Sequence, residues 1–147
     1  MSSNFNLLRK VVLRCGSVLY GHIASITSNE PHYIIILNDN PSYGDSFALV
    51  VASSRVERVA QLRSMYGADT IAEISLGSEK FLSKPTYINC NDVKYFNVKY
   101  IKEKFDCNEL KCLDATLSKD TLRQVIRCVK NSRTVSMQIK NLLPNID

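Results

Sequence analysis

Pro31–Arg55 reads PHYIIILNDNPSYGDSFALVVASSR, and its reading decides the fold. Two apolar runs, Tyr33–Leu37 and Phe47–Ala52, flank a loop of turn formers: Asn38, Asp39, Asn40, Pro41, Ser42, Gly44 and Asp45. Ile34, Ile35, Ile36, Val50 and Val51 are β-branched, which stiffens χ1 and suits a pleated strand. Each run is too short for a helix and has breakers on both sides, so both read as strands. The loop, about nine residues long, is ample to reverse the chain. If the strands pair symmetrically about it, His32 lies across from Ser53 or Ser54, where opposed residues have Cβ atoms roughly 4.5–5.5 Å apart. A one-residue slip would put them on opposite faces.

Working outward, Gly16–Ile26 (GSVLYGHIASI) alternates loosely and predicts a strand bent at Gly21. Upstream, Asn6–Arg14 has Leu7/Leu8 and Val11/Val12 four apart, as on a helical turn, while Lys10–Arg14 equally admits a strand. Thr27–Pro31 reads as a loop. Downstream the period changes: Val56, Val59, Ala60 and Leu62 make a helical stripe over Arg55–Tyr66, with Gly67 as its stop. Thr70–Leu76, Tyr87–Cys90 and Tyr95–Val98 read as short strands, with a turn at Asn91–Asp92. Lys99–Phe105 reads as a helical turn and Lys111–Leu117 as irregular or extended.

Ser118 opens the clearest helix. It is a good N-cap, and Asp120 lies in the first turn, favourable to the helix dipole. Leu122, Val125, Ile126 and Val129 form an apolar stripe, and Arg123, Arg127 and Lys130 a basic one. The basic stripe fits an RNA, an acidic partner segment or a solvated face. Val135–Leu143 admits a last helix ended by Pro144. With no repeat or linker, the 147 residues read as a single domain, mainly β (α+β): a small curved sheet or barrel with helices packed on it.

Composition bounds the function classes. Apolar residues make up 45% and charged residues 22%, ordinary for a globular protein. Lys+Arg exceed Asp+Glu by 19 to 14, which suits a polyanionic partner without requiring one. The five cysteines, Cys15, Cys90, Cys107, Cys112 and Cys128, are odd in number and scattered, which argues against a disulfide framework and for buried thiols in a reducing compartment. No second Cys/His pair has zinc-ligand spacing, so neither metal nor cofactor is expected. No apolar run approaches the ~20 residues of a membrane span, and the N-terminal stretch lacks signal-peptide order, so the expected location is cytoplasmic. Gly-rich phosphate loops, nucleophile elbows and HExxH motifs are absent.

Gly16-Ser-Val-Leu-Tyr, His32-Tyr-Ile-Ile-Ile-Leu-Asn, Phe47-Ala-Leu-Val-Val-Ala-Ser-Ser, Thr86-Tyr-Ile-Asn-Cys-Asn, the charged Val98–Lys104 segment and the C-terminal amphipathic helix follow one another in an order that resembles the PemK/MazF-like toxins of bacterial toxin–antitoxin modules. The resemblance covers about residues 14–132. It implies an SH3-like β-barrel with interspersed and C-terminal helices, a homodimer, an antitoxin partner, and metal-independent cleavage of single-stranded RNA. The best-known members carry Arg-Pro at the start of the second strand and Thr-Ser at the end of the third. Here His32-Tyr33 and Ser53-Ser54 stand at those positions, and Ser17 replaces the acidic residue common after the first glycine.

Metal-free RNA cleavage needs a base for the 2′-hydroxyl, an acid for the leaving 5′-oxygen, and donors to the phosphorane. The products are a 2′,3′-cyclic phosphate and a 5′-hydroxyl. His32 is the candidate acid/base, its reference pKa of about 6.5 suiting either role. Ser53 and Ser54 are candidate donors, or else satisfy local backbone. Arg55 could supply the cation that the family's Arg provides, and His22 could converge on the same edge. Tyr20 and Tyr33 could stack bases, or be half-buried strand residues. The alternative function is a non-catalytic SH3-like barrel that binds RNA or protein, favoured by the replacement of Arg-Pro.

Overall fold

The computed structural model describes residues 13–24, 30–39 and 46–145. Residues 6–12 of the expected first element, 27–29 of the following loop, and 40–45 of the central loop lie outside them. Among the described residues seven strands form: β1 (Ser17–Gly21), β2 (His32–Ile36), β3 (Ser46–Ser53), β4 (Ile71–Ile74), β5 (Thr86–Asn89), β6 (Lys94–Asn97) and β7 (Leu110–Thr116). Four α-helices accompany them there: α1 (Val59–Tyr66), α2 (Val98–Asp106), α3 (Lys119–Asn131) and α4 (Met137–Lys140).

The central hairpin pairs as the turn formers predict, with Ile34 opposite Val51, Ile35 opposite Val50 and Ile36 opposite Leu49. Asn38 fastens its mouth: the side chain donates to the Ser46 carbonyl at 3.1 Å and accepts the Ala48 N–H at 2.9 Å. Every pairing in the sheet is antiparallel, and the path runs β4-β5-β3-β2-β1-β7. β6 lies beside β3 over Ser46–Leu49. Leu49 is paired with both Ile36 and Lys94, so β2 and β6 flank β3 there. β3 takes β5 as partner further on, at Ala52 and Ser53. Among the described residues no pairing joins β4 to β7, so the sheet is open and the architecture is α+β.

Both faces of this sheet are covered, which explains the composition of its centre. On one face Val18, Ile35, Leu37, Ala48, Val50 and Ala52 pack with Val125, Ile126 and Val129 of α3. On the other Leu19, Ile34, Ile36, Phe47 and Leu49 pack with Ile101 and Phe105 of α2. A strand with only one buried face alternates apolar and polar residues, but one buried on both must be apolar throughout. Ile34–Leu37 are accordingly all at most 1% exposed. Burying each such side chain contributes about 1.5–3 kcal/mol.

The helices start and stop where capping chemistry requires. Ser118 accepts the Thr121 N–H at the head of α3, and Asn97 does the same for Tyr100 in α2. Glu79, buried, reaches the α3 N-terminus from the loop before β5 and accepts the Ser118 N–H at 2.6 Å, a carboxylate on the positive end of a dipole. Gly67 closes α1 with a φ of 107° and an N–H bond to the Arg63 carbonyl.

Three expectations need correction and one open alternative is decided. The first strand ends at Gly21 and residues 22–24 lie past it, because the chain there meets the start of β7: the His22 N–H bonds the Glu109 carbonyl at 2.8 Å, while residues 25 and 26 of the expected strand lie outside the described residues. Of the two readings of residues 111–117, extended holds over Lys111–Thr116, within the seven-residue strand β7 that pairs with β1, and Leu117 lies just past it. The helix expected from Arg55 begins at Val59, after a single 3₁₀ turn over Val56–Arg58. Within Val135–Leu143 only Met137–Lys140 is helical.

Candidate functional site

His32 is the first residue of β2, paired with Gly21. Alternation puts it on the face of Ile34 and Ile36, the face covered by α2. It is half-buried, and its Nε2 is buried without a hydrogen-bond partner among the described residues. Ser53 is the last residue of β3, paired with Tyr87 of β5. The β2–β3 ladder ends at Ile34–Val51. Extending its register by two residues sets Ser53 opposite His32, and alternation from Val51 gives Ser53 the same face. The Ser53 hydroxyl accepts the Arg55 N–H at 3.2 Å, a local turn of the kind serines make at strand ends.

Ser54 and Arg55 lie just beyond the strand, both exposed, and the Ser54 carbonyl accepts the Val56 N–H at 2.9 Å. Arg55 makes no ion pair among the described residues, whereas Arg63 pairs with Glu73 and Arg123 with Asp120. His22 is exposed, one residue past β1 and next to the glycine that faces His32.

Tyr20 and Tyr33 are brought directly together as a cross-strand pair, their ring centroids 4.8 Å apart and tilted by 47°. Phe81, from the loop before β5, extends the row, 5.1 Å from Tyr33 and tilted by 59°. This row packs against the core on the α3 side, with Tyr33 and Phe81 at its margin. It therefore occupies the opposite face from His32 and Ser53, since Tyr33 neighbours His32 in a strand and must point the other way. Phe81 was not among the sequence-derived candidates, for its loop position carries no periodic signal.

Of the basic stripe on α3, Arg127 and Lys130 are exposed, and Lys130 bonds the Asn145 side chain. Arg123 is half-buried, with its Nε lacking a partner. Among the described residues no cluster of three or more His, Cys, Asp or Glu side chains could hold a metal ion. No helix there is long and apolar enough to cross a membrane. Thiol chemistry divides by position: burial, helped by the Asp39 charge, pushes Cys15 up to about 11. Burial also raises Cys112, with Asp114 adding to it. No family model matches the chain, and no curated protein matches it.

Proposed function

We propose that this chain is a divergent PemK/MazF-like toxin, a metal-independent endoribonuclease for single-stranded RNA, with its open sheet a variant of the SH3-like barrel. The observation that carries the reading is the strand-end placement of His32: an imidazole nitrogen without a partner, with Ser53 opposite in the extended register. In this reading His32 takes the 2′-hydroxyl proton or protonates the leaving 5′-oxygen. The 2′-oxygen attacks phosphorus, the bond to the 5′-oxygen breaks, and a 2′,3′-cyclic phosphate and a 5′-hydroxyl result. Ser53 and Ser54 donate to the phosphorane oxygens, and Arg55, exposed and without an ion pair among the described residues, supplies positive charge. Tyr20 and Tyr33 stack bases that pass round the end of the sheet, and His22 lines the same end. A homodimer in the cytoplasm, held inactive by an antitoxin protein, completes the proposal.

A second reading, a non-catalytic module binding RNA or protein, is favoured by one observation: His32-Tyr33 stands where the best-known nucleases of the family carry Arg-Pro, so that fixed cation is missing. Expression of wild type and His32→Ala in a bacterial host separates the two. The nuclease reading expects growth arrest and RNA fragments ending in cyclic phosphates, both lost in the variant. Normal growth with intact RNA on wild-type expression refutes it and leaves the binding module.

A further inference from the structure

Cys90 and Cys128 come from distant parts of the chain and meet in the core on the α3 side of the sheet. Cys90 follows β5 directly and is fully buried. Its Sγ donates toward the Val125 carbonyl of α3 at 3.6 Å, and Cys128 lies three residues further along that helix, on the same side. Both belong to one buried apolar cluster, and the Val125 carbonyl that Cys90 meets lies one turn before Cys128. The other three cysteines have no such neighbour relation. Cys15 and Cys112 pack against cores on opposite faces of the sheet, and Cys107 is exposed in the turn after α2.

We propose that Cys90 and Cys128 form a redox-active dithiol, which a hydroperoxide closes into a disulfide bonding α3 to the corner between β5 and β6.

The two thiols are unequal in the way such chemistry needs. The neighbouring Cys128 thiol and then burial raise Cys90 well above the ordinary thiol value, so it stays protonated, its proton directed at the Ile88 and Val125 carbonyls. The neighbouring Cys90 lowers Cys128, with Arg127 and Arg63 adding to it against burial and Asp69. Cys128 is also the outer of the pair, 8% exposed. The thiolate is the nucleophile, so Cys128 attacks first. Its sulfur takes one oxygen of hydrogen peroxide, the O–O bond breaks, and hydroxide leaves, giving a sulfenic acid. The Cys90 sulfur then attacks that sulfur. The S–S bond forms, the S–OH bond breaks, and the Cys90 proton leaves with the hydroxyl as water. Two thiols are oxidised and one peroxide is reduced to two waters. A reduced dithiol such as dithiothreitol reverses the change.

The test is peroxide titration of the purified full chain, followed by denaturation, alkylation and peptide mapping by mass spectrometry. Wild type is expected to fall from five alkylated cysteines to three, with a Cys90–Cys128 cross-linked peptide and full recovery on reduction. The oxidised form should melt roughly 5–10 °C higher than the reduced one. In Cys90→Ser, Cys128 should stop at the sulfenic acid and be captured by a dimedone-type probe. Five alkylated thiols after peroxide treatment, or a cross-link confined to Cys107 of two copies, overturns the proposal. The wild-type mapping needs no variant to fold, and the proposal stands whether or not the chain cleaves RNA.

Discussion

Replacing Gly21 with alanine should be among the most damaging single changes this protein can suffer. Gly21 has a φ of 149°, a region L-residues with a side chain rarely adopt. A Cβ built there would sit 1.9 Å from the Glu109 carbonyl oxygen, 2.9 Å from its carbon and 3.0 Å from the Leu110 Cα. All three are backbone atoms of the approach to β7, so no side chain can swing away. The start of β7 must retreat by about 1 Å or more before ordinary contact is restored. That breaks the bond from the His22 N–H to the Glu109 carbonyl, worth about 0.5–1.5 kcal/mol. Backbone strain adds about 1–3 kcal/mol. Displacing Leu110, 1% exposed, loosens the core under α2 further. The sum is roughly 3–5 kcal/mol, against a total stability of about 5–15 kcal/mol.

Gly77 supplies the control. Its φ is 92°, yet a Cβ there would meet nothing within 4 Å. Gly77→Ala should therefore cost the strain alone, about 1–2 kcal/mol. Equilibrium urea unfolding followed by circular dichroism measures both. If the two variants agree within about 0.5 kcal/mol, the close approach of β1 and β7 is not what fixes Gly21, and the reasoning fails. The same variant touches the proposed chemistry, because Gly21 is the cross-strand partner of His32.

Two further expectations concern the same sheet. Asn38→Ala strips the hairpin mouth of both side-chain bonds and leaves the buried Ala48 N–H without its acceptor, so urea unfolding should show a loss of about 2–3 kcal/mol. Cys15, pushed up to about 11 by burial and then by Asp39, favours the neutral thiol in the folded state. A raised folded-state pKa gives stability that is complete below the ordinary thiol value near 9 and is lost as pH climbs toward 11. Wild type should then lose more stability than Cys15→Ala across that window, and parallel curves for the two would contradict it. Solvent screening keeps the difference small, since Cys15 is only half-buried.

What could be read from residues alone was whatever local chemistry decides. Two β-branched runs about a set of turn formers give the hairpin, and Ser118 with a 3.6-residue apolar stripe gives α3. β7 reads as either irregular or extended because LKCLDAT has no pattern of its own that decides it, and its partner β1 is remote in sequence. Gly21 shows the same limit: its glycine is required by Glu109, which no inspection of its neighbours would suggest. The site divides similarly. Register about the loop, extended from the Ile34–Val51 pair, sets His32 opposite Ser53, and strand alternation sends Tyr33 the other way from His32. The place of Phe81 and the meeting of Cys90 and Cys128 in one buried cluster are tertiary facts, brought about by a loop and a helix docking on the sheet.

The doubly covered sheet also limits where any chemistry can occur. Ile34–Leu37 and Phe47–Val50 are sealed by α2 on one face and α3 on the other, so no polar group can be presented from the middle of the sheet without a large desolvation cost. In β2 and β3 the polar side chains lie only at the strand ends. At one of them His32 begins β2, Ser53 ends β3, and His22 follows β1, each half-buried or exposed. At the same end Tyr20 and Tyr33 turn a half-buried aromatic pair toward the other face. A ligand able to use both groups must be long enough to pass round the strand ends and must carry polar and planar parts in alternation. A single-stranded polynucleotide, with its phosphates and bases, has that construction, whereas a small rigid substrate would reach one group or the other but not both.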